Sequence, residues 1–172
     1  RLALERAQLA PYLVHHVAGC VGCHSPVQDT VPGEPPVEDK LFAGRDFGEI
    51  PNYPIYIKSR NLTPDKATGI GDWTDGEIVR AMREGVSRDG HHLYPAFPYT
   101  AFAKTSDDDL QALYAYFMSM PAVRAETPKS ELKFPFSMRP LMAGWNALFH
   151  DPAPLQPVAT QSAEWNRGAY LV

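Results

Sequence analysis

The sequence predicts a mainly α-helical fold with long proline-rich loops and an appended helix towards its C-terminus. Apolar residues recur at helical spacing over 4–18. Three consecutive aspartates, which favour a helix N-terminus, precede an apolar-rich run within 107–120. A capping box at 74–77 starts another helix, and seventeen prolines, well above the usual fraction of about 5%, predict extended connectors.

In chain order, the first helix should end at Gly19, before the first cysteine. Residues 26–64 are rich in proline and should be mostly loop, with short strands near 41–47 and 53–59. Residues 151–163 are typical of a linker. The remaining helices are expected over 74–85, 107–120 and 138–150, and from 164 onwards.

Composition narrows the possible classes of function. Hydrophobic residues make up 44% of the chain, enough to form a core, and the net charge is −4 with no basic run, which argues against nucleic acid as a partner. No apolar stretch approaches the roughly 20 residues of a membrane span. Because the chain starts at Arg1 without the apolar run of a secretory signal, we expect a mature or trimmed chain.

Both cysteines of the chain lie in Cys20-Val21-Gly22-Cys23-His24. This is the C-x-x-C-H pattern of c-type haem attachment. Two thiols at this spacing can bond to the two vinyl groups on one side of a porphyrin, and the adjacent imidazole can then bind the iron. The motif predicts one haem c, with His24 as the proximal iron ligand.

Other interpretations of the two cysteines are weaker. A thioredoxin-like C-x-x-C is expected in a βαβ setting, which the helix–loop pattern lacks. A structural zinc site needs four ligands, and the other histidines lack metal-ligand spacing. Two structural cysteines would leave the adjacent His24 unexplained.

The order of predicted elements matches small class I cytochromes c: an N-terminal helix, the haem motif, a middle helix, a loop and a C-terminal helix. In that arrangement the terminal helices cross. Ala18 and Gly19 would allow close approach of Leu113, Tyr116 and Phe117.

Several longer stretches carry a more specific resemblance. They are YLVHHVAGCVGCHSP, FAGRDFG, NLTPDKATGIGDWTDGEIVRAMREGVSRDGHHLYPAFPY and TSDDDLQALYAYFMSMPAV. Over residues 9–150 the chain resembles the first domain of the multihaem cytochrome c subunits of membrane-associated bacterial dehydrogenases, which serve alcohol, gluconate, sorbitol and related dehydrogenases and some molybdenum hydroxylases.

The resemblance implies a domain organisation and a set of partners. It implies a c-type cytochrome domain over 1–122, an appended segment packing on it over 123–150, a linker over 151–163, and the start of a second, truncated cytochrome domain over 164–172. The RGAYLV at 167–172 resembles the opening of such a domain, so more haems are expected in the full-length protein. The implied partners are a periplasmic dehydrogenase subunit and further haem domains, with association at the bacterial inner membrane through the full-length protein or its partners.

The distal iron ligand is open at this stage. Related domains often carry Y-P-A-M-P-Y, and this chain has Phe97 in place of that Met, which cannot bind iron. Met142 is the favoured substitute, although a core-filling role suits a Met equally well. The alternative ligands are Met138, Met118, Met120, His91 and His92. The last possibility is a five-coordinate iron with no distal ligand.

Further residues are candidates for the haem pocket. Phe97 would line it. The haem propionates need hydrogen-bond donors, and four residues could supply them or could instead order the surrounding loops. They are Arg45, Asn61, Trp73 and Tyr94. The carbonyl of Pro26 or of another loop residue should orient His24 through its second ring nitrogen.

These features predict an electron-transfer domain that relays single electrons from a partner dehydrogenase or a neighbouring haem towards the respiratory chain. No acid–base pair or nucleophile constellation stands out, so we expect an electron carrier and not an enzyme. The alternative is a haem enzyme or gas-binding domain with an open iron position. This alternative rests on Phe97, which stands where related domains carry a Met that could bind iron.

Overall fold

The computed structural model describes residues 9–49 and 55–171. They form two compact units: unit 1 comprises 9–49, 55–73 and 112–138, and unit 2 comprises 74–111 and 139–171. Predictions for 1–8, 50–54 and 172 lie outside the described residues. From Cys20 onwards, the α-helices are α1 Cys20–His24, α2 Asp75–Glu84, α3 Tyr99–Phe102, α4 Asp107–Ser119, α5 Pro140–Phe149 and α6 Ala163–Leu171.

Unit 1 begins with the helix that leads to the cysteine motif. Residues 9–12 are α-helical and continue as a π-helical turn, Leu13–Val17, before α1 begins. Gly19 separates the two helices with φ 60°, a left-handed conformation that glycine adopts without strain. The break at Gly19 is therefore confirmed. A Cβ at Gly19 would meet nothing within 4 Å, so the expectation that Gly19 permits close helix packing is wrong.

A three-stranded antiparallel sheet also belongs to unit 1. Its strands are β1 Arg45–Glu49, β2 Ile55–Ser59 and β3 Glu131–Leu132, in the order β1-β2-β3. The sequence predicts strands close to the first two, but β3 is a two-residue strand in a connector and too short to show an alternating pattern. The mainly α prediction is thus confirmed only in part.

The buried centre of unit 1 is Phe42, which is fully inaccessible to solvent. Its ring lies edge-on to the rings of His15, at 5.4 Å, and Phe117, at 5.3 Å. The His15 Nε2 and the Tyr116 hydroxyl form a hydrogen bond of 2.8 Å. The N-terminal helix and α4 are therefore joined through aromatic side chains.

In unit 2, the capping box predicted at the start of α2 is present. The Thr74 hydroxyl accepts a hydrogen bond from the Glu77 backbone N–H, and the Glu77 carboxylate accepts one from the Thr74 N–H. The helix ends at Gly85, with φ 65°. Both ends of α2 agree with the sequence because the signals that determine them are local.

Helix α5 is attached to α2 by a short chain of polar contacts. The buried Tyr99 donates its hydroxyl hydrogen to Asn146 Oδ1 at 2.7 Å, and Asn146 Nδ2 donates to the Glu84 carbonyl at 3.0 Å. His150, directly after α5, packs its ring edge-on to Tyr99 at 5.2 Å. This network orders the 138–150 region, which the sequence predicts to be helical.

The Arg83 side chain joins α2 to the start of α4. Its guanidinium donates to the carbonyls of Ala103 and Thr105, both at 2.8 Å, and forms an ion pair with Asp107 at 2.6 Å. Farther along the chain, Tyr170 of α6 donates to the Asp109 carboxylate at 2.6 Å. The N-terminus of α4 is thus contacted from α2 and from α6.

Throughout residues 9–49 and 55–171, none of the helices has both the length and the apolar character that crossing a bilayer would require.

Replacing Gly85 with Ala should destabilise the protein. The position has a positive φ, and an added Cβ would lie 2.8 Å from the Tyr99 ring. We expect a loss of roughly 1–3 kcal/mol in the free energy of unfolding, measured by denaturant titration. Gly76→Ala is the matched control, because Gly76 lies within α2 in open space; it should be neutral or stabilise by up to about 1 kcal/mol. Equal effects of the two substitutions would contradict this account.

Candidate haem site

The three residues of the predicted haem motif lie on the single short helix α1. Cys20 and Cys23 are three positions apart, so their side chains project from the same face. They form no disulfide; Cys20 is half-buried and Cys23 is exposed. Two unpaired thiols on one helical face suit covalent attachment to a single planar group.

The state of the Cys20 thiol argues against a redox dithiol. Burial, together with the nearby Cys23, raises the pKa of Cys20 to about 12. Catalytic C-x-x-C motifs instead lower the pKa of the attacking thiol towards or below neutrality. The local environment therefore disfavours the thioredoxin-like interpretation.

The His24 imidazole is oriented by a backbone carbonyl. Its Nδ1 lies 2.7 Å from the carbonyl oxygen of Arg60, and a carbonyl can only accept, so Nδ1 carries the hydrogen. Burial lowers the pKa of His24, which favours the neutral ring. Nε2 is then the ring nitrogen with a lone pair, as ligation to a metal requires.

A loop carbonyl thus orients His24 as the sequence predicts, but Pro26 is the wrong residue. The Pro26 carbonyl accepts a hydrogen bond from the Val37 N–H. Arg60 follows β2 directly and is 36 positions from His24 in the chain. Its guanidinium also donates to the Thr127 carbonyl, which links it to the connector after α4.

Residues of β1 and β2, together with Gly44 directly before β1, bind the backbone carbonyls at the end of α1. The Gly44 N–H donates to the His24 carbonyl at 2.7 Å, the Arg45 side chain donates to the Gly22 carbonyl at 3.1 Å, and the Ser59 hydroxyl donates to the Cys23 carbonyl. The last carbonyls of a helix have no partner within the helix, and here the sheet supplies them. The sheet therefore holds the motif helix in place.

Gly44 is required where β1 approaches the motif. Its φ is 97°, and an added Cβ would lie 2.5 Å from Thr127 Oγ1 and 2.9 Å from the Ser59 carbonyl. Sequence reasoning singled out neither Gly44, Ser59 nor Arg60. The stretch FAGRDFG carries the family resemblance, but nothing local in its sequence indicates contact with α1.

Two of the predicted pocket residues in unit 1, Asn61 and Trp73, take part in hydrogen bonds within the protein. Asn61 is 1% exposed, and its amide donates to Thr68 Oγ1 at 3.0 Å and to the Val123 carbonyl at 2.8 Å, while its Oδ1 accepts from the Thr63 N–H and hydroxyl. These contacts favour the loop-ordering role for Asn61.

Trp73 is half-buried, and its carbonyl accepts a hydrogen bond from the Tyr114 hydroxyl at 2.9 Å. A propionate contact of Asn61 or of Trp73 stays a prediction.

Arg45 is the predicted propionate donor that lies beside the motif. Besides its hydrogen bond to Gly22, its guanidinium lies 4.8 Å from the centre of the Phe47 ring and 3.3 Å from the Glu34 carboxylate. The Glu34 side chain is exposed, so this ion pair is weak and can exchange for another carboxylate.

In unit 2, the predicted pocket residue Tyr94 lies beneath Arg139. The Arg139 guanidinium is 5.7 Å from the centre of the Tyr94 ring. Its Nη1 is buried and has no hydrogen-bond partner among the described residues, and burial lowers the pKa of Arg139. A buried guanidinium nitrogen without an acceptor suits a carboxylate ligand.

The histidine alternatives for the distal ligand differ in environment. His91 is exposed, and its Nδ1 is hydrogen-bonded to the Asp89 carboxylate. His92 is half-buried, and its Nδ1 has no hydrogen-bond partner within the described part of the chain. Phe97 is half-buried, with its ring 5.4 Å from that of Phe102.

The methionine candidates also differ. Met142 is half-buried in the first turn of α5 in unit 2, where its N–H donates to the Arg139 carbonyl at 2.9 Å. Met138 belongs to unit 1 and is 44% exposed. Met118 and Met120 lie at the end of α4 and are half-buried.

The donor set fits a haem better than a structural metal ion. Within 9–49 and 55–171, no group of three or more His, Cys, Asp and Glu side chains is arranged to hold a metal ion, whereas structural zinc takes four ligands. Two free thiols with one oriented imidazole on the same helix are the groups that c-type attachment uses.

Comparison with known proteins agrees with this chemistry. No protein-family model matches the chain. A nicotinate dehydrogenase subunit of Pseudomonas putida is 52% identical over 153 residues, and the gluconate 2-dehydrogenase cytochrome c subunit of Pantoea cypripedii is 43% identical over 155 residues. The fructose dehydrogenase cytochrome subunit of Gluconobacter japonicus is 38% identical over 157 residues.

The chain is homologous to cytochrome c subunits of bacterial dehydrogenases. The matches cover 89–90% of the chain, so they include both units and the C-x-x-C-H motif. The resemblance stated from the sequence is thereby confirmed. The cytochrome homologue spans only part of these relatives, namely 12%, 32% and 30% of their respective lengths.

Replacing Asn61 with Ala should destabilise this cytochrome homologue strongly. The substitution leaves the buried Thr63 N–H without its acceptor, and it removes one of the two donors to the Val123 carbonyl, which keeps only the Thr63 hydroxyl. We expect a loss of about 2–4 kcal/mol in the free energy of unfolding, measured in guanidinium. Gln156→Ala removes an exposed amide with one backbone contact and should change stability by no more than about 0.5 kcal/mol. A small effect at Asn61 would show that the loop is ordered by other contacts.

Proposed function

We propose that the chain is a c-type cytochrome domain that relays single electrons between a partner dehydrogenase, or a neighbouring haem, and the respiratory chain. The observation that supports this most directly is the orientation of His24. Its Nδ1 hydrogen is donated to the Arg60 carbonyl, which leaves Nε2 to bind iron, next to two free thiols on the same helix. The relatives named above support this function and offer no support for the open-iron alternative.

Each residue of the motif has a distinct task in this proposal. Cys20 and Cys23 would bond covalently to one haem c, and His24 would be the proximal iron ligand. When bound, the haem supplies a one-electron couple at its iron. The protein would hold the imidazole in one orientation and supply hydrogen-bond donors for carboxylates.

The sheet contributes to this function by holding α1. The carbonyls of Gly22, Cys23 and His24 accept hydrogen bonds from Arg45, Ser59 and Gly44, respectively. These bonds restrain rotation of α1 relative to the sheet. A ligand held in one position changes little between oxidation states, which keeps the reorganisation on electron transfer small.

For the distal side we propose Met142 as the iron ligand, with Met138, His91 and His92 as the alternatives. Met142 is half-buried on a helix that the Tyr99–Asn146–Glu84 contacts anchor, whereas Met138 and His91 are exposed. A Met ligand would raise the reduction potential relative to a second histidine. The sequence pattern is the basis for proposing these residues for the haem pocket: Arg45, Asn61, Trp73, Tyr94 and Phe97.

The domain organisation and the cellular setting are proposals of the same kind. The cytochrome domain would have the class I fold over 1–122, with 123–150 appended to it, 151–163 as linker and 164–172 opening a second cytochrome domain. We also propose further haems in the full-length protein, a periplasmic location, and association with the inner membrane through the full-length protein or its partners. The relatives, which are named as dehydrogenase subunits, support a dehydrogenase as the partner.

Expression with haem-attachment machinery should yield a protein whose intact mass is increased by one haem and whose reduced spectrum shows c-type bands. The double variant Cys20→Ser, Cys23→Ser should lose the covalent mass increment, because no thiol is left to form the bonds. An unmodified mass for the unaltered chain would overturn the proposed function.

The Met142→Ala variant should lose the weak long-wavelength sulfur–iron band of the oxidised protein and show a lower reduction potential. Met118→Ala is the control, because Met118 is also half-buried but lies on α4. Persistence of the band in Met142→Ala would exclude Met142 as the ligand without affecting the assignment of His24.

A further inference from the structure

Phe42 has an unusual backbone conformation for a large residue. Its φ is 61°, in the left-handed region that residues with bulky side chains rarely enter. Among the described non-glycine residues, Glu34 is the other with a positive φ, and Glu34 is exposed, whereas Phe42 is completely buried. Such conformations persist where the surroundings over-determine them, often at functional sites.

Both backbone groups of Phe42 are bound to segments that flank the proposed iron ligand. Its N–H donates to the buried Ser25 hydroxyl at 3.0 Å, and Ser25 directly follows His24. Its carbonyl accepts from the Leu62 N–H at 2.8 Å, and Leu62 lies two residues after Arg60. Phe42 therefore connects the segment that carries the imidazole to the segment that carries its acceptor.

The Phe42 side chain holds this connection in place. The ring packs against His15 and Phe117, and His15 is hydrogen-bonded in turn to Tyr116. Ring packing by itself is compatible with ordinary φ values. In its left-handed conformation, Phe42 has its N–H bound to Ser25 and its carbonyl bound to Leu62 while its ring lies in the core.

We propose that Phe42 is a positioning residue that holds the Nδ1–H of His24 on the Arg60 carbonyl and thereby tunes the reduction potential. The proposal rests on the proposed function, since it takes His24 as the iron ligand. A hydrogen bond from Nδ1 makes the ligating nitrogen more basic. A more basic ligand stabilises the oxidised iron, so loosening this contact raises the potential.

The test compares holoprotein variants in which the haem is covalently attached. Ser25→Ala removes the hydroxyl that accepts the Phe42 N–H, and Phe42→Leu keeps the backbone groups but removes the ring contacts with His15 and Phe117. Ser87→Ala is the matched control, because Ser87 is also a buried serine and lies in unit 2. The readouts are the reduction potential and the solvent exchange rate of the His24 Nδ1 proton, measured by NMR.

We expect Ser25→Ala and Phe42→Leu to raise the reduction potential and to speed exchange of the Nδ1 proton, with c-type spectra retained. Ser87→Ala should leave both readouts as in the unaltered protein. If one test variant does not fold, the other decides. Unchanged readouts in a folded test variant, or the same shift in Ser87→Ala, would overturn the proposal. Absence of covalent haem in the unaltered chain would overturn the proposed function as well, and the spectrum distinguishes that outcome.

Discussion

The hydrogen bond between the His24 imidazole and the Arg60 carbonyl is the contact on which the proposed site depends. It determines which ring nitrogen carries the hydrogen and therefore which one can bind a metal. Because the acceptor is a backbone atom, its position is determined by the fold around it. The sheet, the Thr127 contact of the Arg60 side chain, and the Phe42 connection to Ser25 and Leu62 all act on that position.

Each compact unit contains a buried residue whose side-chain hydrogen bonds join separate segments. In unit 1, Asn61 joins its own loop to Val123, and in unit 2, Tyr99 joins α5 to α2 through Asn146. Such contacts are costly to break because a buried partner is left unpaired. They add directional contacts to the apolar core and join segments that are far apart in the chain.

Much of the fold follows from local signals in the sequence. The ends of α2 were predictable because a capping box and a left-handed glycine act within a few residues, and the break at Gly19 has the same origin. The β3 strand and the contacts of the sheet with α1 were not predictable from the sequence, because they depend on pairing between distant segments. Pro26 was the wrong acceptor for His24 for the same reason, since proximity in sequence does not establish proximity in space.

The sequence by itself determined the chemistry of the candidate site, because Cys20, Cys23 and His24 are nearly contiguous and their spacing on one helix requires no other segment. It also determined the homology to dehydrogenase cytochromes. Only the tertiary structure decided that the Arg60 carbonyl orients His24, that Gly44 and Ser59 hold the motif helix, and that Phe42 takes a left-handed conformation. Each of these contacts joins segments far apart in the chain, and packing and hydrogen bonding bring such segments together only in the folded state.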